Sequence, residues 1–340
     1  MKRSSQSGLA LITVLLIFAL VSVMAIAMVQ RQSQDIQRSA NAFTMQQARA
    51  YTYAAEAAIK SGLYLSWSND KNKDHINDEW AQPRTFPLEP GTARIEIQDA
   101  QGRFNLNSLH PSSANRTVQA QRFTNLLNLL GLDVDYAAMW SRWLDENSQE
   151  DNRYQAGREQ PYRAAYQACQ HVSEVLLLDG MDRESYQRLE PYISCLPFSS
   201  PLNVNTATAA VLAALDVNLT LADGQSIVDA RGDKGFSTLD DFWSLSVIEP
   251  YTRPRDPNES NEEAAKRPDP WEKTDFSIRS DYFEAFARID LNDRVATLSA
   301  LIHRRADDGT MTTVYRDFGR REARLRESPL LESTQPMAVF

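Results

Sequence analysis

Oxygen donors crowd one short polar stretch: Asp145, Asn147, Glu150 and Asp151 all fall within WLDENSQEDNRY, residues 143–154. Carboxylates and an amide at that spacing can build the oxygen-rich, flexible shell that Ca²⁺ prefers, with ligands at about 2.3–2.6 Å. The stretch is not an EF-hand loop, because Glu150 takes the sixth position, where the sharp turn needs glycine. A solvated acidic loop is the other reading of the same residues. Asp133 and Asp135, in GLDVDY, are a sparser acidic pair that reads as a helix cap.

Other chemistry is thinner. LNVNTATAAVLAALDVNLTLADGQSIVDARGDKGFSTLDDFW, residues 202–243, resembles a helix-hairpin-helix element. In DNA-binding proteins such a unit holds a phosphate on the amides of a glycine-rich hairpin, helped by basic side chains. Here the hairpin LDVNLTLAD carries no glycine and two acids, so the fold is expected without the phosphate site; a membrane-anchored DNA-binding or uptake protein stays as the alternative function. His75, His110, His171 and His303 lie scattered without metal-ligand spacing, and no serine elbow or phosphate-cradling loop accompanies them. Asp240 and Asp241 fit a solvent-facing pair or a helix cap. None of this points to an enzyme.

The 340 residues carry a formal net charge of -9, which speaks against nucleic acid as the main partner, since affinity for phosphate backbones comes largely from Lys and Arg. From Leu9 to Val29 there is no charged residue, and roughly 20 apolar residues of helix span a bilayer core. Lys2 and Arg3 precede the run, so the positive-inside rule leaves the N-terminus in the cytoplasm and sends the body across. A secretory signal peptide would end in a small-residue cleavage site after the run, and none is evident near Val29. Cys169 and Cys195 then lie in an oxidising space, where a disulfide is the favoured state and two buried thiols the alternative. Without a CxxC spacing, redox catalysis and zinc are poor readings.

These residues need elements to position them. After Val29 the helical pattern turns amphipathic, with Ile36, Ala40, Phe43, Tyr51, Ala54 and Ala58 near multiples of three and four, and neither Gly nor Pro intervenes before Gly62. A single helix from Leu9 to Trp67 would be roughly 85 Å long, so its second half must pack on something soluble. Residues 68–90 read as loop, and ARIEIQD alternates as a half-buried strand. Residues 105–275 show short capped helices, with Asp182 and Thr206 as N-caps and Gly131 and Gly180 at helix ends. Strand character returns from residue 276, with turns at Asn292-Asp293 and Asp308-Gly309 predicting three or four antiparallel strands. The fold class is α+β, a long N-terminal helix on an antiparallel sheet split by a large, mostly helical insertion.

A short polar leader, Gly8, an uncharged helix, an amphipathic extension and a distal antiparallel sheet together resemble type IV pilin-like proteins. DAQGRFNLNSL, SEVLLLDGMDRESYQRLEPY and PLNVNTATAAVLAAL resemble the K-type minor pseudopilin family of type II secretion systems, and the likeness spans nearly the whole chain. The resemblance implies a prepilin leader over residues 1–8, cut between Gly8 and Leu9 by a prepilin peptidase, with Leu9 N-methylated. The transmembrane and soluble halves of the helix follow at 9–29 and 30–67, and the pilin-like sheet at 68–104 and 276–320. An insertion with helix-hairpin-helix or SAM-like elements fills 105–275, and 321–340 is a tail. It further implies calcium in the insertion and a single-pass inner-membrane protein with its bulk in the periplasm. The partners would be other minor pseudopilins at the tip of a pseudopilus and the inner-membrane assembly platform, and the role would be support of protein export across the outer membrane. Most pilin-like subunits carry Glu at the fifth mature position, and Thr13 stands there instead. A membrane-buried acid is useful where it neutralises the N-terminus of a subunit ahead, so Thr13 suits a first subunit; a threonine merely tolerated in a membrane helix is the alternative.

Overall fold

The structure, a computed structural model, describes residues 7–148, 162–252, 270–320 and 322–327. Helix α1 (Ser7–Asn69) runs 63 residues unbroken. A hairpin follows, β1 (Arg84–Leu88) and β2 (Gly91–Asp99). The chain then leaves the sheet through β3 (Phe104–Asn105), α2 (Arg116–Leu129), α3 (Asp135–Leu144), α4 (Arg183–Leu189) and β4 (Ile193–Ser194). It continues through β5 (Leu202–Asn203), α5 (Ala209–Ala213), α6 (Leu221–Arg231) and α7 (Leu239–Trp243). It returns by β6 (Phe276–Ser277) to β7 (Tyr282–Leu291), β8 (Arg294–Arg304) and β9 (Met311–Asp317).

Five strands form one antiparallel sheet in the order β1-β2-β7-β8-β9. Its side chains alternate between faces as the two-residue period requires. Ile95, Ile97, Ala285, Ala287, Leu298 and Ala300 face α1, which answers with Ala48, Ala55, Ile59 and Leu63. Glu56, buried beside them, accepts from Arg316 Nε at 2.6 Å and pairs with Lys60 at 2.8 Å, tying α1 to β9. The packed stripe differs from the one the spacing suggests: Ile36, Ala40, Phe43, Ala54 and Ala58 stay exposed, and of that set Tyr51 alone meets the sheet core. Small and apolar residues occupy more than one side of the helix, so periodicity alone does not choose the buried side.

The stretch expected as loop, 68–90, contains the edge strand β1. Its burial lacks alternation, and Pro87 is tolerated because an edge strand needs no amide on its outer side. The turns do fall at Asn292 (φ 53°) and at Gly309 (φ 70°); at Gly309 a Cβ would come within 2.5 Å of the Trp67 ring.

A second core, separate from the sheet core, gathers Phe104, Leu126, Trp140, Val175, Leu212 and Phe242. We call this body the α domain. A separate small apolar cluster gathers Ala100, Leu196 and Leu301, with Tyr282 and Tyr315 packed against it. Helices α5 and α6 cross so closely that a Cβ on Gly224 would lie 2.1 Å from the Ala209 carbonyl oxygen. Most of the seam is polar. Glu284, on the face of β7 turned away from α1, is buried between Arg103 and Arg324. Burial alone would raise its carboxyl, but the charges of Arg324 and Arg103 outweigh it and hold the group at about 2.

A folded value below the ordinary one means that this contribution is present at neutral pH and is lost as pH falls from about 4.5 toward about 2. In urea melts at pH 7, Glu284→Gln should cost about 3–5 kcal/mol, because two buried guanidinium groups lose their counter-charge. Between about pH 4.5 and 2.5 its stability should decline less steeply than that of the natural chain.

Candidate functional site

Gly8 and Leu9 sit in the first turn of α1, where backbone N–H groups have no partner within the helix. The peptide between them therefore lies in the part of the helix easiest to unwind. Onward to Val29 the apolar side chains stand exposed, with Leu9 73% and Phe18 70% accessible. The helix is long and apolar enough to cross a membrane. Thr13 Oγ1 donates to the Ala10 carbonyl at 2.8 Å, so this hydroxyl closes on its own backbone and presents no charge to a neighbour.

Higher on α1, Ala54, Ala58 and Gly62 are exposed at successive intervals of four. Ala58, Gly62 and Leu65 form one wall of a groove of about 480 Å³ whose other wall includes Phe86, Ile95 and Ile97. Nothing lies within 4 Å of the place a Gly62 Cβ would take. Glycine inside a helix costs about 1 kcal/mol relative to alanine, and no contact among the described residues requires it there.

The oxygen-donor set is only half visible. Asp145 caps the C-terminus of α3; its Oδ1 accepts from the Asn147 backbone at 3.0 Å and side-chain amide at 3.2 Å, and its Oδ2 lies 3.4 Å from Arg116. Glu150 and Asp151 lie outside the described residues. Asp145 and Asn147 are thus adjacent, but they are engaged with each other and with an arginine, and no metal-holding group of three acids, histidines or cysteines occurs among the described residues. Asp133 accepts from the Asp135 amide at 2.9 Å, a turn that leads into α3.

Cys169 and Cys195 form a disulfide. Asn107 reaches into the loop it closes, donating to the Cys169 and Leu196 carbonyls at 3.0 and 2.9 Å and accepting from the Cys169 amide at 2.7 Å. Asp182 caps α4, accepting from Ser185. Thr206 is not a helix cap: Thr208 caps α5, and the Thr206 hydroxyl instead donates to Asp99. Thr238, not Asp241, caps α7, with the Asp241 carboxylate accepting from the Thr238 amide in return, and Asp240 pairs with Lys273.

Asp99 is a hub that sequence reasoning missed. Its Oδ2 accepts from Thr206, Ser280 and Asn203, and its Oδ1 from the Gln101 amide at 2.8 Å. Burial pushes the Asp99 carboxyl up, against those hydrogen bonds. Beside it Asp74 pairs with Arg304 and accepts from the Ser280 amide at 2.9 Å. A Cβ on Gly102 would lie 2.6 Å from the Thr206 hydroxyl, so the chain can pass there only as glycine. The single signal for this hub was the pairing of DAQG with NVNT, two polar stretches too far apart to be linked without a fold. In the helical hairpin, Asp216 Oδ1 accepts from the Asn218 amide at 2.9 Å, so that amide is already engaged by a carboxylate.

Family profiles described as "Type II secretion system (T2SS), protein K" match residues 102–198 and 202–259. A type II secretion system protein K of Pseudomonas aeruginosa is 33% identical over 337 residues, covering 93% of this chain and 94% of that protein. One from Klebsiella pneumoniae is 36% identical over 264 residues, covering 72% of this chain and 81% of that protein. Among solved structures, a chain of the GspK-GspI-GspJ complex from enterotoxigenic Escherichia coli aligns with a TM-score of 0.68 at 27% identity, covering 84% of this chain and all of that one.

The disulfide closes a loop across a sequence separation of 26. Cys169→Ser should therefore lower stability by about 3 kcal/mol, measured by denaturant titration of the oxidised proteins. Reductant should bring the natural chain to the same midpoint.

Proposed function

The chain belongs to the type II secretion system protein K family, and on that premise we propose that it is a minor pseudopilin, anchored in the inner membrane by α1 and standing in the periplasm at the pseudopilus tip. One observation carries the reading: a 63-residue helix that is apolar and bare below and packed against a sheet above through Ala48, Ala55, Ile59 and Leu63. Such a helix joins a membrane phase to an aqueous body as one piece. Cleavage after Gly8 by a prepilin peptidase and methylation of Leu9 belong to the same reading. Thr13 supports the tip position, since a charge at bilayer depth is costly without a partner ahead to neutralise. The bulky α domain supports it too, because a large head obstructs stacking along a shaft. The partners are other minor pseudopilins, a reading supported by the GspK-GspI-GspJ assembly of the solved relative, with the inner-membrane platform receiving the helix. The outcome is protein export across the outer membrane.

Calcium in the α domain is part of the proposal. Asp145 offers carboxylate oxygens now satisfied by donors that a cation could replace, and Asn147, Glu150 and Asp151 would complete the shell. The ion would offset the mutual repulsion of these acids and stabilise the fold by mass action.

Ala58→Leu combined with Gly62→Leu should fill the groove on α1 and weaken capture of co-expressed pilin-like partners in detergent at least tenfold, while mass spectrometry still finds Leu9 at the mature N-terminus. Undiminished capture would remove the groove from the interface, and a different N-terminus would remove the processing step. For calcium, the melting temperature should rise with added Ca²⁺ and much less with Mg²⁺, which demands tighter octahedral geometry. Asp145→Ala with Glu150→Ala should abolish most of that rise, and an unchanged response would place the ion elsewhere.

A further inference from the structure

We propose that residues 322–327, with Arg320, form a C-terminal strap that fastens the α domain to the sheet, and that Arg324 is its latch. The strap lies on the sheet face opposite α1. Arg324, buried there, places Nη1 3.2 Å from Glu284 Oε2 on β7 and donates through Nη2 to the Ile193 carbonyl at 2.8 Å and to the Glu190 carbonyl. One side chain thereby grips a sheet strand and the α4–β4 turn of the α domain together. The Arg324 carbonyl accepts from Gln98 Nε2 on β2 at 2.6 Å, and Arg320 pairs with Glu190 at 2.8 Å. Arg326 donates to the Ala81 carbonyl at 2.9 Å, shortly before β1.

Two observations make this a fastener rather than part of either core. Its neighbours in the strap are not buried, and Leu325 is 56% exposed, so the strap is held by ion pairs and hydrogen bonds and can open without unfolding a hydrophobic core. Release also leaves no orphaned charge on the sheet, because Glu284 keeps Arg103. The far end of the seam is different in kind. Asp99, Asp74 and Arg304 are sealed and have no exposed substitute. The seam thus has a permanent end, which acts as a hinge, and a releasable end.

The test is hydrogen exchange on the full chain in detergent, comparing the natural protein with Arg324→Ala and with a chain ending after Phe318. Arg324→Ala retains the Glu284–Arg103 pair and so keeps the fold, while truncation releases the whole strap. In both, amides of residues 190–196 should exchange at least tenfold faster, and those of β7, β8, α2 and α5 should keep their rates. Unchanged exchange at 190–196 in both variants would overturn the latch. Uniform acceleration throughout the chain would overturn it equally, since it would mark ordinary loss of stability.

Discussion

The chain leaves its sheet at the end of β2 and must come back as the neighbouring strand β7, and the buried carboxylate of Asp99 holds those two points together. The Ala100 amide donates to the Tyr282 carbonyl at 3.0 Å, and Asp99 collects donors from the outgoing chain, from residues 203 and 206 deep in the α domain, and from Ser280 just before the return. An unsatisfied buried carboxylate would be expensive. Its cost is avoided only when all of these segments stand in place at once, which makes the hub a test of correct assembly as well as a source of order.

The same logic explains a device used twice. In FNLNS and LNVNT a two-residue strand ends in an asparagine whose Oδ1 accepts the amide two residues on, Asn107 at 3.1 Å and Asn205 at 2.9 Å. Each of these strands pairs in parallel with a distant two-residue strand. Asn107 then clamps the disulfide loop, and Asn205 exchanges hydrogen bonds with Phe236. These amides resemble the equipment of an active site, yet apart from the bonds of Asn203 to Asp99 and Ser280 their partners are backbone groups, and they work as splints where segments too short for regular strands must be fixed.

Elements with strong local signals were legible in the sequence. The charge-free run of α1, the alternation in β2 and the turns at Asn292 and Gly309 each express a rule that acts over a few residues. β1 escaped because an exposed edge strand with Pro87 need not alternate. Thr206 was misread for a subtler reason: Thr206 and Thr208 are equally good caps by type, and a contact with Asp99, over a hundred residues away, decides between them. Arg324 and Glu284 carried no local signal at all, since a buried ion pair looks on paper like two surface charges. Of the oxygen-donor set, Asp145 and Asn147 do come together, but through an Asx turn and an arginine.

Because β2 and β7 are hydrogen-bonded neighbours, the covalent chain leaves the sheet and rejoins it at two points about 5 Å apart. To the sheet, the entire α domain has the boundary conditions of a hairpin turn. An insertion placed in that way can grow or shrink without shifting the register of a strand, provided that the contacts of Asp99 and Glu284 across the seam are kept.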